Sequence, residues 1–132
     1  MKIYLAARYS RRKELCEYRT ELEKDGHEIT GRWLNGHHQV PDEGLPAEAN
    51  AELREAFAKE DWSDLMAAEC CIAFTEPQHS VNSRGGRHVE FGAALASGHR
   101  CIVVGPRENV FHCLPFVSVF DSFEAARQAI KE

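Results

Sequence analysis

Residues 70 to 105 read CCIAFTEPQHSVNSRGGRHVEFGAALASGHRCIVVG, and the punctuation of this stretch decides the fold. Cys70-Cys71-Ile72-Ala73-Phe74 is a short apolar run that reads as a buried strand. A polar loop, Thr75 to Gly86, leads into a helix of small residues from Arg87 to Ser97, which Gly98 stops. Cys101-Ile102-Val103-Val104-Gly105 then returns, as apolar as a strand covered on both faces must be. Strand, helix, strand in this form is a parallel unit with a right-handed crossover.

The alternation continues outward in both directions. Lys2 to Ala7 is too short an apolar run for a helix and reads as the first strand. Ser10 is a candidate N-cap for an amphipathic helix reaching Lys24, with Leu15, Tyr18 and Leu22 on one stripe and Asp25-Gly26-His27 closing it. Glu28 to Leu34 reads as a second strand, and Asn35 to Pro46 as a surface loop carrying the pair His37-His38. Ala47 to Ala68, rich in Ala, Glu, Leu and Lys, predicts a long helix with Leu53, Phe57 and Leu65 facing inward. Phe116 to Phe120 suggests a fifth strand, and a serine-capped helix runs from Ser122 to Lys131. The expectation is one α/β domain over residues 1–132, a flavodoxin-like (Rossmann-like) three-layer sandwich whose five-stranded parallel sheet has the order 2-1-3-4-5. Ligands of such sheets lie beyond the carboxyl ends of the strands, so the loops after strands one, three and four should hold the site.

Composition narrows the function classes. The chain has 132 residues, 43% hydrophobic and 28% charged, which suits a folded globular protein rather than a disordered one. Its formal charge of -5 offers no general footprint for nucleic acid or for an anionic membrane, so an anionic ligand must be met by local positive charge. No apolar run approaches a membrane-spanning length, and strand-like sequence begins directly after Met1, which together predict a cytoplasmic protein. The five cysteines (Cys16, Cys70, Cys71, Cys101 and Cys113) read as buried thiols of a reducing compartment. No CxxC, HExxH or zinc-finger spacing is present, so no metal is expected, and the first loop lacks the Ser/Thr/Gly-rich composition suited to a flavin phosphate, so no cofactor is expected either.

The loops at the expected ligand edge gather positive charge and glycine: Arg8-Tyr9-Ser10-Arg11-Arg12, then Ser83-Arg84-Gly85-Gly86-Arg87-His88-Val89-Glu90, then Arg107-Glu108-Asn109. Backbone N–H groups at a helix start and arginine forks bind phosphate, which makes the first loop a candidate cradle and equally a solvated basic helix start. Glu90 follows a Gly-Gly approach in what reads as the first turn of a helix of small and apolar residues. There the helix dipole would keep it ionised, as a nucleophile or as a stabiliser of positive charge on a sugar carbon, or simply as a dipole-matched acid. Asp61 and Asp64 lie near the end of the long helix, where acids oppose the dipole; one is expected to face the site, and Asp64 better suits a solvated face. Tyr4 fits a core ring, and Trp33 fits either core or a surface that stacks a flat ring.

Taken together, Lys2-Ile3-Tyr4-Leu5-Ala6, Glu60-Asp61-Trp62-Ser63-Asp64-Leu65 and Gly86-Arg87-His88-Val89-Glu90-Phe91-Gly92 resemble the nucleoside 2-deoxyribosyltransferase family, which includes 2'-deoxynucleoside 5'-monophosphate N-glycosidases. The resemblance spans nearly the whole chain. It implies that Glu90 attacks the anomeric carbon to form a glycosyl-enzyme, that Asp61 holds the substrate and assists proton transfer, and that Tyr4 sits beside the nucleophile. At the same edge, substrate contacts are expected from Arg8, Ser10, Arg11, Trp33, Ser83, Arg84 and Gly86, and the resemblance adds Asn109, reaching a neighbouring subunit's site in at least a homodimer. One departure bears on substrate. Nucleoside-type members often carry an acid six residues before the nucleophile, where this chain has Arg84, a residue that welcomes phosphate. The expected activity is therefore hydrolysis of a nucleoside 5'-monophosphate to free base and sugar phosphate. Base exchange and a nucleotide-binding module without turnover are the alternatives, while a flavodoxin-like electron carrier is disfavoured by the composition of the first loop.

Overall fold

The computed structural model describes residues 1–36, 46, 48–78 and 84–131. Five strands, β1 (Lys2–Ala6), β2 (Glu28–Ile29), β3 (Cys70–Phe74), β4 (Arg100–Val104) and β5 (Val117–Phe120), form one sheet in the order β2-β1-β3-β4-β5. Every neighbouring pair is parallel, with Tyr4 opposite Cys71 and Cys71 opposite Cys101. The reversal of strand order between β1 and β3 is the expected one, and it opens a crevice at their carboxyl ends.

Four helices cover the sheet: α1 (Arg12–Lys24), α2 (Ala51–Ala67), α3 (Gly86–Ala96) and α4 (Phe123–Lys131). On one face α1 and α4 pack together. The Tyr18 ring stacks on Phe123 at 4.0 Å and on Phe74 at 5.3 Å, and Arg127 forks onto Asp25 at 2.6 and 2.8 Å. On the other face α2 and α3 lie side by side, joined near their ends by Ser97 and Met66. The apolar stripe of α1 faces inward as its spacing predicts, with Leu15 and Leu22 fully buried. Ser122 caps α4 by accepting the Ala125 N–H at 3.2 Å. Ile3, Leu5, Ile72, Ile102 and Val103 make the central strands a continuous core, each side chain contributing roughly 1.5–3 kcal/mol by its burial. Among the described residues no helix is long and apolar enough to cross a membrane.

Several local expectations are corrected. The second strand stops at Ile29 instead of running to Leu34, and Arg32–Asn35 forms a 3-10 turn. The cause is Asp64, which lies buried rather than on a solvated face. Its carboxylate accepts the Arg32 backbone N–H at 2.8 Å and the Arg32 guanidinium at 2.9 Å, pulling the chain off the sheet edge. Ser10 caps nothing: it is exposed within a 3-10 turn, Tyr9–Arg11, that precedes α1. The long helix begins at Ala51 after Asn50 takes a left-handed conformation, while Ala47 lies outside the described residues. Leu53 is exposed on that helix, and only Leu65 of the predicted inward trio is fully buried. The thiols of Cys70, Cys71 and Cys101 are buried, but Cys16 is half-buried and Cys113 exposed. His37 and His38 lie outside the described residues.

Candidate active site

Pleat alternation sends Tyr4 from β1, and Cys71 beside it on β3, to the face covered by α2 and α3. Glycine at Gly85 takes φ +83°, which turns the chain into α3, and Glu90 follows one helical turn later. Glu90 thereby reaches down to β1, where the Tyr4 hydroxyl donates a hydrogen bond to its Oε2. Tyr4 of a central strand and Glu90 of a crossover helix, 86 positions apart, are thus brought together by the parallel topology.

Glu90, with the buried Tyr4 behind it, lines a cavity of about 620 Å³, within the range of small-molecule sites. The turn after β1 supplies Arg8 and Tyr9, the 3-10 turn supplies Trp33, α2 supplies Asp61, Trp62 and Leu65, and the start of α3 supplies Arg84, Gly86 and Arg87. The Trp33 indole is fixed by donating to the Leu5 carbonyl at 3.0 Å, and its ring meets Tyr9 at 6.1 Å with a 47° tilt. Flat aromatic walls and two carboxyl groups thus share one crevice.

Burial governs the charges. Glu90 is pushed up to about 8 by removal from water and, secondarily, by repulsion from Asp61, with the Tyr4 hydrogen bond opposing both. Asp61 is pushed up to about 7 by burial and by the negative charges of Asp64 and Glu60. The Tyr4 phenol is driven far above its ordinary value by its burial and by Glu90, so it stays a donor. The expectation that the helix dipole keeps Glu90 ionised is therefore overturned: Glu90 lies in the second turn of α3, past the reach of the free N–H groups, and desolvation wins.

Of the sequence candidates, Tyr4, Asp61, Glu90, Arg8, Trp33, Arg84 and Gly86 come together around this cavity. Three do not. Arg11 is engaged elsewhere, with Glu14 at 2.8 Å, Glu76 at 2.9 Å and the Thr75 carbonyl at 3.2 Å, its guanidinium over the Phe74 ring. Ser10 is exposed outside the cavity wall, and Asn109 caps the 3-10 turn Val110–Cys113 by accepting the Phe111 N–H at 3.0 Å. Ser83 lies outside the described residues. The loop after β4 was expected to line the site, but Glu108 turns it toward Arg87 instead. Sequence reasoning missed Arg87, Tyr9 and Trp62. Their one legible signal was position, directly beside residues already singled out.

The raised carboxyl groups make stability depend on pH. Folded protein keeps the Glu90 proton up to about 8, whereas the unfolded chain releases it near 4.5, so the stabilising contribution is full below 4.5 and is lost as pH rises to 8. Asp61 acts in the same direction between 3.8 and about 7. Melting curves from pH 4 to 9 should therefore show Glu90→Gln diverging upward from the natural protein between pH 4.5 and 8, by a few kcal/mol in all, and then running parallel. Parallel curves throughout would contradict the raised Glu90.

The fold and cavity define an α/β protein with a paired-carboxyl site at the topological switch point of a five-stranded parallel sheet. No family model matches the chain, and no curated protein matches it. Solved structures do share the fold. The CMP N-glycosidase BcmB of Clostridium botulinum aligns over 100% of both chains with a TM-score of 0.58 and 18% identity. The 2-deoxyribosyltransferase of the psychrotolerant bacterium Bacillus psychrosaccharolyticus aligns over 96% of this chain and 90% of its own, with a TM-score of 0.69 and 18% identity.

Proposed function

We propose that this protein is an N-glycosidase of the nucleoside 2-deoxyribosyltransferase type, hydrolysing a nucleoside or deoxynucleoside 5'-monophosphate to free base and sugar phosphate. The observation that carries the reading is the Tyr4–Glu90 hydrogen bond at the floor of a cavity that Asp61 also lines. The N-glycosidase and deoxyribosyltransferase of the same fold support it, since both named activities act at the N-glycosidic bond.

In this reading the reactive form has Glu90 ionised and Asp61 protonated, a state made accessible near neutrality because both groups titrate around 7 to 8. A Glu90 oxygen forms a bond to C1' as the bond to the base nitrogen breaks, and the departing electron pair is neutralised by the Asp61 proton. Tyr4 holds the other oxygen, so the attacking carboxylate keeps a fixed face toward the sugar. Water then attacks C1' from the side the base left, giving its proton to Asp61 and freeing Glu90, with net retention. Trp33, Tyr9 and Trp62 offer the base flat apolar surfaces. Neither step calls on a cofactor.

Arg84 and Arg8 in the cavity wall, beside the N–H groups at the start of α3, favour a 5'-phosphate over a bare hydroxyl. Arg84→Ala should raise KM for a nucleotide by roughly tenfold or more while changing KM for its nucleoside little, the size of one charge-assisted contact. Equal effects on the two would place the phosphate elsewhere. A panel of nucleotides and nucleosides, with and without an acceptor base, followed by chromatography of released bases, tests the whole reading. Base exchanged rather than released would assign the transferase reading, for which the B. psychrosaccharolyticus enzyme's likeness speaks. The reading carries with it a homodimer in which Asn109 serves the neighbouring site.

A further inference from the structure

We propose that Arg87 and Glu108 are positioning residues: their buried ion pair fixes the roll of α3 and thereby the oxygen that Glu90 presents to the cavity. The inference rests on the reading of Glu90 as nucleophile. The Arg87 side chain is only 6% exposed and Glu108 14%, and the two meet through both prongs, Nη1 with Oε1 and Nη2 with Oε2, the latter at 2.8 Å. Glu108 is itself held from two further directions. Its Oε1 accepts the Glu76 backbone N–H at 3.0 Å, and its own N–H donates to Nδ1 of the buried His112 at 2.9 Å. Glu76 in turn pairs with Arg11 at 2.9 Å. The loops after β3 and β4 thus converge on one guanidinium in the first turn of α3.

That turn needs such an anchor. It starts from Gly85 and Gly86, which contribute no side chain to pack, and among the described residues no other part of the fold comes within 4 Å of where a Cβ would stand on either. Arg87 and Glu90 are three apart on the helix and so share a face, with Arg87 tied toward β4 and Glu90 toward Tyr4 on β1. Two anchors on one face, drawn toward different strands, set the rotation of the helix, which a single contact would leave loose. A pair of apolar side chains would hold α3 to the sheet at least as firmly, because two charges lose their hydration on burial. The Arg87 Nε is buried without a hydrogen bond among the described residues, so the pair is not optimised for stability. What a planar fork adds over apolar packing is orientation.

Glu108 lies outside the cavity wall, which makes Glu108→Gln the cleaner test. In the folded variant kcat for base release should fall roughly 10- to 100-fold with KM changed by less than about threefold, the signature of a displaced reacting group. Glutamate-labelled ¹³C NMR reads the second consequence: as the helix rolls and water reaches the carboxyl, relief of desolvation, the largest cause of its raised value, outweighs the loosened Tyr4 bond, and Glu90 should titrate at lower pH than in the natural protein. Tyr4, Asp61 and Cys71 are the titratable groups that act on Glu90, and all three are retained. A folded Glu108→Gln protein with natural kcat, or with an unchanged Glu90 titration, overturns the proposal. Arg87→Lys, which keeps the charge but not the fork, gives the same two readouts should Glu108→Gln fail to fold. If the natural protein releases no base from any nucleotide, the functional reading fails, and the titration alone still decides whether this pair positions Glu90.

Discussion

Glu90→Gln should abolish base release, lowering turnover of nucleoside 5'-monophosphates by roughly a thousandfold or more while leaving nucleotide binding within a few fold. The amide matches the carboxyl in shape and can still accept from the Tyr4 hydroxyl, so the cavity survives. What disappears is the anionic oxygen, without which no bond to C1' forms and none of the charge growing on the sugar is balanced. The effect should fall on kcat, because the lost interaction belongs to the transition state. Chromatography of released base, paired with calorimetric titration of the same nucleotide, separates the outcomes. Release surviving at a tenth of the natural rate would remove Glu90 from the chemistry. Binding without release in both proteins would assign a nucleotide-binding module.

A comparable loss, of folding rather than of chemistry, is expected from Gly105→Ala. Gly105 ends β4 with φ +118°, a conformation that side-chain-bearing residues avoid, and an added Cβ would stand 2.5 Å from Thr75 Oγ1 and 3.3 Å from the Thr75 carbonyl. Thr75 cannot swing aside cheaply, since it is buried and its hydroxyl donates to the Pro106 carbonyl at 2.6 Å. Backbone strain and overpacking together should cost about 3–5 kcal/mol, lowering Tm by roughly 10–20 °C in a chain of this length. Gly92→Ala in the same series should do the opposite, gaining about 0.5–1 kcal/mol. Gly92 sits mid-helix in α3, and among the described residues no other part of the fold comes within 4 Å of its Cβ position. If both substitutions moved Tm equally, the close approach of Gly105 to Thr75 would not be the cause.

The site also explains why stability should fall with rising pH. Two carboxyl groups held out of water in one cavity oppose folding wherever the unfolded chain has already lost its protons. A core built for stability alone would have apolar side chains at Asp61 and Glu90. Their presence, with the buried Asp64 behind Asp61, is what the proposed activity calls for and stability alone does not.

The sequence by itself determined the element order, the parallel five-stranded sheet and the edge where the candidate cavity opens. Apolar runs of strand length, glycine stops and a serine cap are local signals, and the right-handed crossover leaves little choice in joining them. It also singled out Asp61, an acid near a helix C-terminus with no local reason to be there, and Glu90, an acid in a helix of small and apolar residues, while Tyr4, which reads as a core ring, entered through the family resemblance. Tertiary structure alone decided which charges are free for a ligand and which are spent on one another. Arg11 and Arg87 look alike in a sequence, yet Arg11 meets Glu76 across 65 positions of chain, besides its neighbour Glu14, and Arg87 meets Glu108 across 21. The same holds for Asp64, whose burial depends on Arg32 arriving from another element, and for the protonation of Glu90. Desolvation is a property of everything packed around a group, and no window of neighbouring residues encodes it.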